Sequence, residues 1–263
     1  MSDFLLVTAA SLAALAAVQA ITFLVGHRIG RYNVVDVAWG AGIVAVAWIA
    51  AALGDGDATR ALLLAALITV WGVRLSWHMW VKSAGKGEDP RYTDMLNRAG
   101  GGTATVIRKV FVVQGAAQWF VSLPVQVSTT AGPTTGPWTV VLAAGLLLAL
   151  TGIGFEAVGD HQLRAFKADP AHRGLIMDRG LWAWTRHPNY FGDACTWWGI
   201  WLIAASAWPG VLTVLSPVLM TYFLVYATGA RLLERFMSER PGWAAYADRT
   251  SFFVPRPPRG ENR

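Results

Sequence analysis

Apolar residues run along this chain in long blocks separated by short polar breaks. A bilayer core about 30 Å thick is crossed by roughly 20 apolar residues of helix. Seven blocks approach that length, at about 4–26, 34–54, 60–81, 108–129, 137–157, 190–206 and 208–229. The second and third blocks are parted by Gly54-Asp55-Gly56-Asp57, a turn signal. The fourth and fifth are parted by the Thr-, Gly- and Pro-rich stretch from Thr129 to Pro137, and the last two by Trp208-Pro209-Gly210. The pattern predicts an all-α, polytopic membrane bundle of seven transmembrane helices, forming one domain over residues 1–263.

Composition agrees. Hydrophobic residues make up 54% of the 263 positions and charged residues 14%, where soluble domains carry about 25% charged. Mean hydropathy is +0.41. Only Met1-Ser2-Asp3 precede the first block, without a basic residue, and the block exceeds a signal-peptide core, so it reads as an uncleaved first helix. A single cysteine, Cys195, excludes an intrachain disulfide framework.

The basic residues set the orientation. With the first helix running outside to inside, twenty lysines and arginines fall on one side and only Arg60 on the other, while Arg74 lies within a span. That bias places the long loops and the C-terminal tail in the cytoplasm. The basic isoelectric point, about 9.8, then reflects orientation and contact with anionic membrane lipids, with no nucleic-acid partner. The absence of an internal repeat argues against a transporter built from repeated halves.

Polar chemistry concentrates between Glu156 and Asp193 and in the tail. Glu156, Asp160, Arg164 and Lys167 share one helical face that prolongs the fifth span. Arg179 to Asp193 follows, with Trp182 and Trp184 ahead of Arg186-His187-Pro188-Asn189-Tyr190-Phe191-Gly192-Asp193. Pro188 can open a helix, and the free N–H groups there, with Arg186 as a fork-shaped donor, suit a phosphate or carboxylate. Arg231 and Arg235, four residues apart, extend this into an anion cradle. Asp193 lies within a span and calls for a polar partner or cavity. In the first half, Arg74 with His78 and Gln114 with Gln118 form polar pairs inside spans, and Asp36 is the acid nearest the second. Glu88, Asp89 and Tyr92 stand on an inside loop. The five histidines form no ligand cluster, so no metal is expected, and no Gly-x-Gly-x-x-Gly fingerprint of a soluble dinucleotide domain is present.

The octapeptide at 186–193, the Asp160/Arg164/Lys167 face, and the tail residues Glu234-Arg235, Tyr246 and Phe252-Phe253-Val254-Pro255 resemble the steroid 5-alpha-reductase family. The chain is closer still to a bacterial branch known only as a membrane domain of unknown function. The C-terminal region is also similar to sterol C14-reductases and the lamin B receptor. The segment Val35-Asp36-Val37-Ala38-Trp39-Gly40 and the loop Gly85 to Tyr92 fit the bacterial branch.

The resemblance implies a NADPH-dependent reductase of a carbonyl-conjugated C=C bond in a lipid-soluble substrate, held in a bacterial plasma membrane. It places the cofactor over 156–255, on Asp160, Arg164, Lys167, Trp184, Arg186, His187, Asn189, Tyr190, Asp193, Arg231 and Arg235. Asp36, His78 and Tyr32 are the candidate proton donors. The glutamine–glutamate pair of animal steroid reductases is missing. Isoprenylcysteine and phospholipid methyltransferases share Arg-His-Pro-x-Tyr-x-Gly, so S-adenosylmethionine-dependent methylation of a lipid is the alternative cofactor reading. A non-catalytic membrane scaffold is the third.

Overall fold

The computed structural model describes residues 2–258 and is helical throughout, with no β-strand among the described residues. Arg259 and Arg263, two of the tail's basic residues, lie outside them. The chain divides into two compact units: residues 1–142 with 203–216, and residues 143–202 with 217–263.

Unit 1 opens with three long helices, α1 (Ser2–Ile29), α2 (Val34–Leu53) and α3 (Ala58–Ser83). The predicted blocks fall inside them to within a few residues. α2 and α3 approach so closely at Gly40 and Gly72 that a Cβ on Gly40 would collide with the Gly72 carbonyl. Val46, Leu64, Ile68 and Trp71 close the core. A short helix, α4 (Pro90–Arg98), follows; Asp89 caps it, accepting from Arg91 N–H, and Pro90 occupies its first turn.

The fourth predicted block is broken. It forms α5 (Thr103–Val106), a π-helical turn (Ile107–Val112), α6 (Val113–Val121) and α7 (Leu123–Ser128). Pro124 has no N–H to donate, and the helix interrupts at Ser122 just before it.

Arg60 is only 1% exposed. Its guanidinium donates to Ser128 Oγ (2.9 Å), the carbonyls of Ser128, Ala131 and Gly132 (3.0, 2.8 and 2.8 Å) and Thr134 Oγ1 (2.9 Å). The one basic residue that broke the charge bias is therefore an internal tie for the 128–134 turn and not a surface charge.

Unit 2 takes most of α8 (Trp138–Ala168), then α9 (Leu181–Trp184) and most of α10 (Pro188–Ala205). α11 (Leu215–Tyr222) enters it at Pro217 and runs into a π-turn (Phe223–Ala227). α12 (Ala230–Met237) and α13 (Trp243–Arg249) complete it. At 1.5 Å per residue the 31 residues of α8 reach roughly 46 Å, longer than a bilayer core. α8 and α10 pack backbone to backbone. A Cβ on Gly192 would stand 2.6 Å from Gly152 O and 2.5 Å from Glu156 N.

Among the described residues, five helical segments are long and apolar enough to cross a membrane: Asp3–Ile29, Val34–Leu53, Ala58–Ser83, Trp138–Ala168 and Gly210–Met237. They are compatible with an integral membrane protein. The other two predicted spans fall short for a physical reason. One is interrupted at Ser122, and α10 carries Asn189, Asp193 and Thr196 in its 18 residues.

The glycine contact yields a direct test. Gly192→Val overpacks the α8–α10 seam and is expected to destabilise the protein by about 1–3 kcal/mol. Gly154, which has nothing within 4 Å of its would-be Cβ, should accept alanine without loss. Thermal unfolding in detergent that fails to separate the two variants would contradict the packing.

Candidate functional site

In unit 2 the 186–193 segment is pinned at both ends. The Thr185 N-terminal flank pairs with the tail: Thr185 Oγ1 donates to Phe253 O (2.8 Å), Arg186 N–H to Ser251 O (2.9 Å) and Arg256 N–H to Trp184 O (3.0 Å). Tyr246 on α13 donates its hydroxyl to Trp182 O (2.7 Å), and burial pushes that phenol's pKa above its ordinary value. Trp182 donates its indole N–H to Gly159 O (3.0 Å), fixing α9 to α8.

Arg186 is the centre of this arrangement. Its Nε donates to Glu234 Oε1 (2.6 Å) and Nη2 to Glu234 Oε2 (3.3 Å), while Nη1 serves Ala247 O and Thr250 O at 2.8 Å each. The guanidinium lies over the rings of Phe252 (5.5 Å) and Trp243 (6.0 Å). The fork that suits a phosphate in the sequence thus holds a carboxylate of α12 and the end of α13. The same Glu234 Oε1 lies 3.1 Å from His187 Nε2.

Asn189 Nδ2 donates to Asp160 Oδ1 (3.1 Å), joining α10 to α8. Glu156, Asp160 and Asp193 are each less than a tenth exposed, and each has a partner. Tyr190 stacks on the His187 ring at 5.7 Å. Trp184 is 47% exposed. Arg164, Lys167, Arg231 and Arg235 present their side chains at the surface.

Two cavities of about 410 Å³ open on unit 2. One is a groove lined by Arg231, Glu234, Arg235, Ser238, Trp243 and Phe252. The other lies under the 169–180 loop, among His161, Gln162, Phe166, His172, Met177 and Arg179. Arg164 and Lys167 line neither. The structure therefore joins Arg231 and Arg235 to one groove, places Arg186 and His187 behind its Glu234 wall, and sets Arg164 and Lys167 elsewhere. Glu234, Trp243 and Phe252 were not singled out as site residues, because their partners lie more than 45 residues away in sequence.

Unit 1 holds a second polar cluster. Tyr92 donates its hydroxyl to Asp36 Oδ1 (2.6 Å), and Arg91 lies 3.8 Å from Asp36 Oδ2 while forking Asp89 at 2.8–3.0 Å. Glu88 accepts from Tyr32 N–H and Asn33 N–H (3.0 Å for the latter), capping α2 from a distant loop. Tyr32 itself packs on Phe23 and Phe111 and meets His27 Nδ1 at 3.2 Å. His78 and Arg74 are half-buried on α3 with partners of their own. Among the three candidate proton donors, Asp36 forms an ionisable hydrogen-bonded pair with Tyr92, and Tyr32 meets the ionisable His27. Gln114 accepts from Trp39 Nε1 (2.9 Å), and Gln118 donates to Trp39 O (2.7 Å) while accepting from Gln19 (2.6 Å). These glutamines bond neighbouring helices.

Asp89 would be raised by burial, but the hydrogen bonds from Arg91 hold it below the usual carboxylate range. Burial pushes the Tyr92 phenol well above its ordinary value, reinforced by the adjacent Asp36 charge.

Two outcomes are expected. Arg186→Lys loses the fork and with it several charge-assisted bonds, worth about 1.5–3 kcal/mol each. Trypsin should then release the tail near Arg249 and Arg256, and unchanged resistance would contradict the tie. For Tyr92, a raised pKa favours the neutral phenol in the fold. Its contribution to stability is full below the ordinary value of about 10 and is lost only as pH climbs through the raised one. Phenolate absorbance at about pH 10.5 should be the same in wild type and Tyr92→Phe. A drop in the variant would show that Tyr92 ionises normally.

No curated protein and no solved structure matches the chain. A family model does match, over residues 22–250, and so takes in α2 to α13 entire together with the groove's Arg231, Glu234 and Arg235. The chain accordingly belongs to the family described as Protein of unknown function (DUF1295).

Proposed function

We propose that the protein is a NADPH-dependent membrane reductase of a carbonyl-conjugated C=C bond in a lipid-soluble substrate, such as a steroid or another lipid enone. The observation that carries this reading is the unit 2 groove, where two exposed arginines stand beside two aromatic faces. NADPH is a polyanion with two planar ring systems. Arg231 and Arg235 suit its phosphates, and Trp243 and Phe252 suit a ring. A cofactor held this way carries the hydride, and the protein binds, orients and excludes water. The glycine fingerprint of soluble dinucleotide domains is not needed when side-chain guanidiniums replace backbone N–H groups.

The resemblance to steroid 5-alpha-reductases supports the same reading. In it, the interrupted 103–128 segment and α10 also cross the membrane. That gives seven spans with the N-terminus outside and the tail in the cytoplasm of a bacterial plasma membrane, where NADPH is found. The charge bias supports this orientation more strongly once Arg60 is removed from the surface count.

One observation favours methyl transfer instead. Glu156, Asp160 and Asp193 put three acids in the interior of unit 2, and S-adenosylmethionine carries a sulfonium and an ammonium that acids attract. The cationic groove weighs against that cofactor.

Thermal unfolding with NADPH, NADH and S-adenosylmethionine in parallel decides between them. A ligand at about 100 times its Kd stabilises by about 2.7 kcal/mol. NADPH should raise the melting temperature, and Arg231→Ala with Arg235→Ala should weaken its binding by roughly 100-fold or more, as lost charge-assisted bonds imply. A response to S-adenosylmethionine alone would reassign the protein to methyl transfer, and a response to none would leave a non-catalytic scaffold.

A further inference from the structure

A helix at the surface of a water-soluble fold turns its apolar side inward and its polar side to solvent. α12 is reversed. Arg231, Glu234 and Arg235, with Ser238 just past its end, share one face, and that face lines the groove. Glu234 on this side holds Arg186 and His187. The opposite face carries Leu232, Leu233, Phe236 and Met237. Leu233 is 41% exposed and Phe236 61%, so the apolar side points away from the unit. Water is a poor solvent for such a face, and an apolar medium is a good one.

The chain around α12 says what that medium is. α12 forms the last eight residues of Gly210–Met237, a run apolar enough to cross a membrane. The run bends at Gly229, where a Cβ would stand 1.9 Å from Leu224 O, so a glycine lets α12 turn off the π-turn this tightly. Aromatic and basic side chains meet at the bend. Tyr222 and Tyr226 are exposed and stacked at 5.7 Å, and the Arg231 guanidinium lies 4.7 Å over the Tyr226 ring. Tyrosine and arginine gather at headgroup level, where a ring rests on apolar chains and a charge reaches phosphate and water. Eight residues of helix cover about 12 Å, too little for a bilayer core of about 30 Å. A short helix that leaves a span at this level, with arginines on one face and Leu and Phe on the other, has the make-up of one lying along the membrane surface.

We propose that the Leu233 and Phe236 face of α12 is a lipid-docking surface, occupied by the boundary between headgroups and acyl chains in the leaflet where the 210–237 run ends. α12 is then a wall with two sides. Leu233 and Phe236 rest among the upper acyl chains, and Arg231 and Arg235 hold the groove at headgroup depth. The proposal goes beyond the reductase reading and does not depend on what fills the groove.

The test uses the full chain in vesicles of phosphatidylcholine and phosphatidylglycerol, with one nitroxide-labelled cysteine at a time. Cys195→Ala removes the native thiol. Leu233→Cys and Phe236→Cys report on the docking face, Ser238→Cys on the groove side, and Leu147→Cys, at an exposed position of α8, on a lipid-facing span. Power-saturation electron paramagnetic resonance compares collisions with oxygen, which concentrates among acyl chains, and with a water-soluble nickel chelate. Labels at 233 and 236 should collide mainly with oxygen, at a depth of about 5–10 Å below the headgroups, and the label at 238 mainly with nickel. The two face positions are independent, so a variant that folds poorly leaves the other to decide. Collision with nickel at 233 and 236 as frequent as at 238 would overturn the proposal. So would shielding from both agents, and dipolar broadening would then identify a second copy of the chain as the cover. Nickel access at 147 would take down the membrane reading as well.

Discussion

The ion pair between Arg186 and Glu234 is the constraint on which the C-terminal part of unit 2 depends. It joins the start of α10 to α12, and through the Ala247 and Thr250 carbonyls it also holds the end of α13. Without it, Glu234 would leave the groove wall, His187 would lose its orienting carboxylate, and the Thr185–Ser251 bridge would have no brace. A half-buried carboxylate of this kind is stable because every oxygen has a charged or polar donor. The Glu88 carboxylate plays a related part in unit 1, where it caps α2 across 55 or more residues of sequence.

Close helix packing sets the frame for both units. Glycines at 40 and 72 in unit 1, and at 152 and 192 in unit 2, let backbones meet with no side chain between. In a membrane, where apolar contact between helices gains little over contact with lipid, such small-residue seams are a main source of association. The seam of unit 2 also decides which side chains can be polar. Asp160 and Asn189 stand at its end, and their hydrogen bond ties the two helices where the glycines stop.

The long helices were legible because a run of apolar residues is a local signal. α1, α2 and α3 match their predicted blocks closely, and α8 was foreseen to carry Asp160, Arg164 and Lys167 beyond its apolar stretch. The 108–129 block was not legible as broken. Its π-turn leaves no mark in the composition, and only Pro124 hinted at the interruption at Ser122. Arg60 was read as an outside charge because the carbonyls that absorb it belong to a turn nearly 70 residues away. The motif at 186–193 was legible for the same reason as the helices. Its residue types announce donors, but not what they donate to. Arg186 spends its donors on Glu234, and the groove is lined instead by Arg231, Arg235, Trp243 and Phe252. Tyr92 was noted on a loop, but its pairing with Asp36 depends on how α4 packs, through Met95 and Leu96, against the cluster of Val35, Val110 and Phe111.

The central claim is that the unit 2 groove is a nucleotide cofactor site. The most direct measurement is an experimental structure of the protein in lipid with saturating NADPH. The account predicts phosphate density beside Arg231 and Arg235, a ring against Trp243 or Phe252, and an intact Arg186–Glu234 pair. An empty groove at saturation, or the cofactor bound elsewhere with Arg186 turned from Glu234 onto its phosphates, would contradict it.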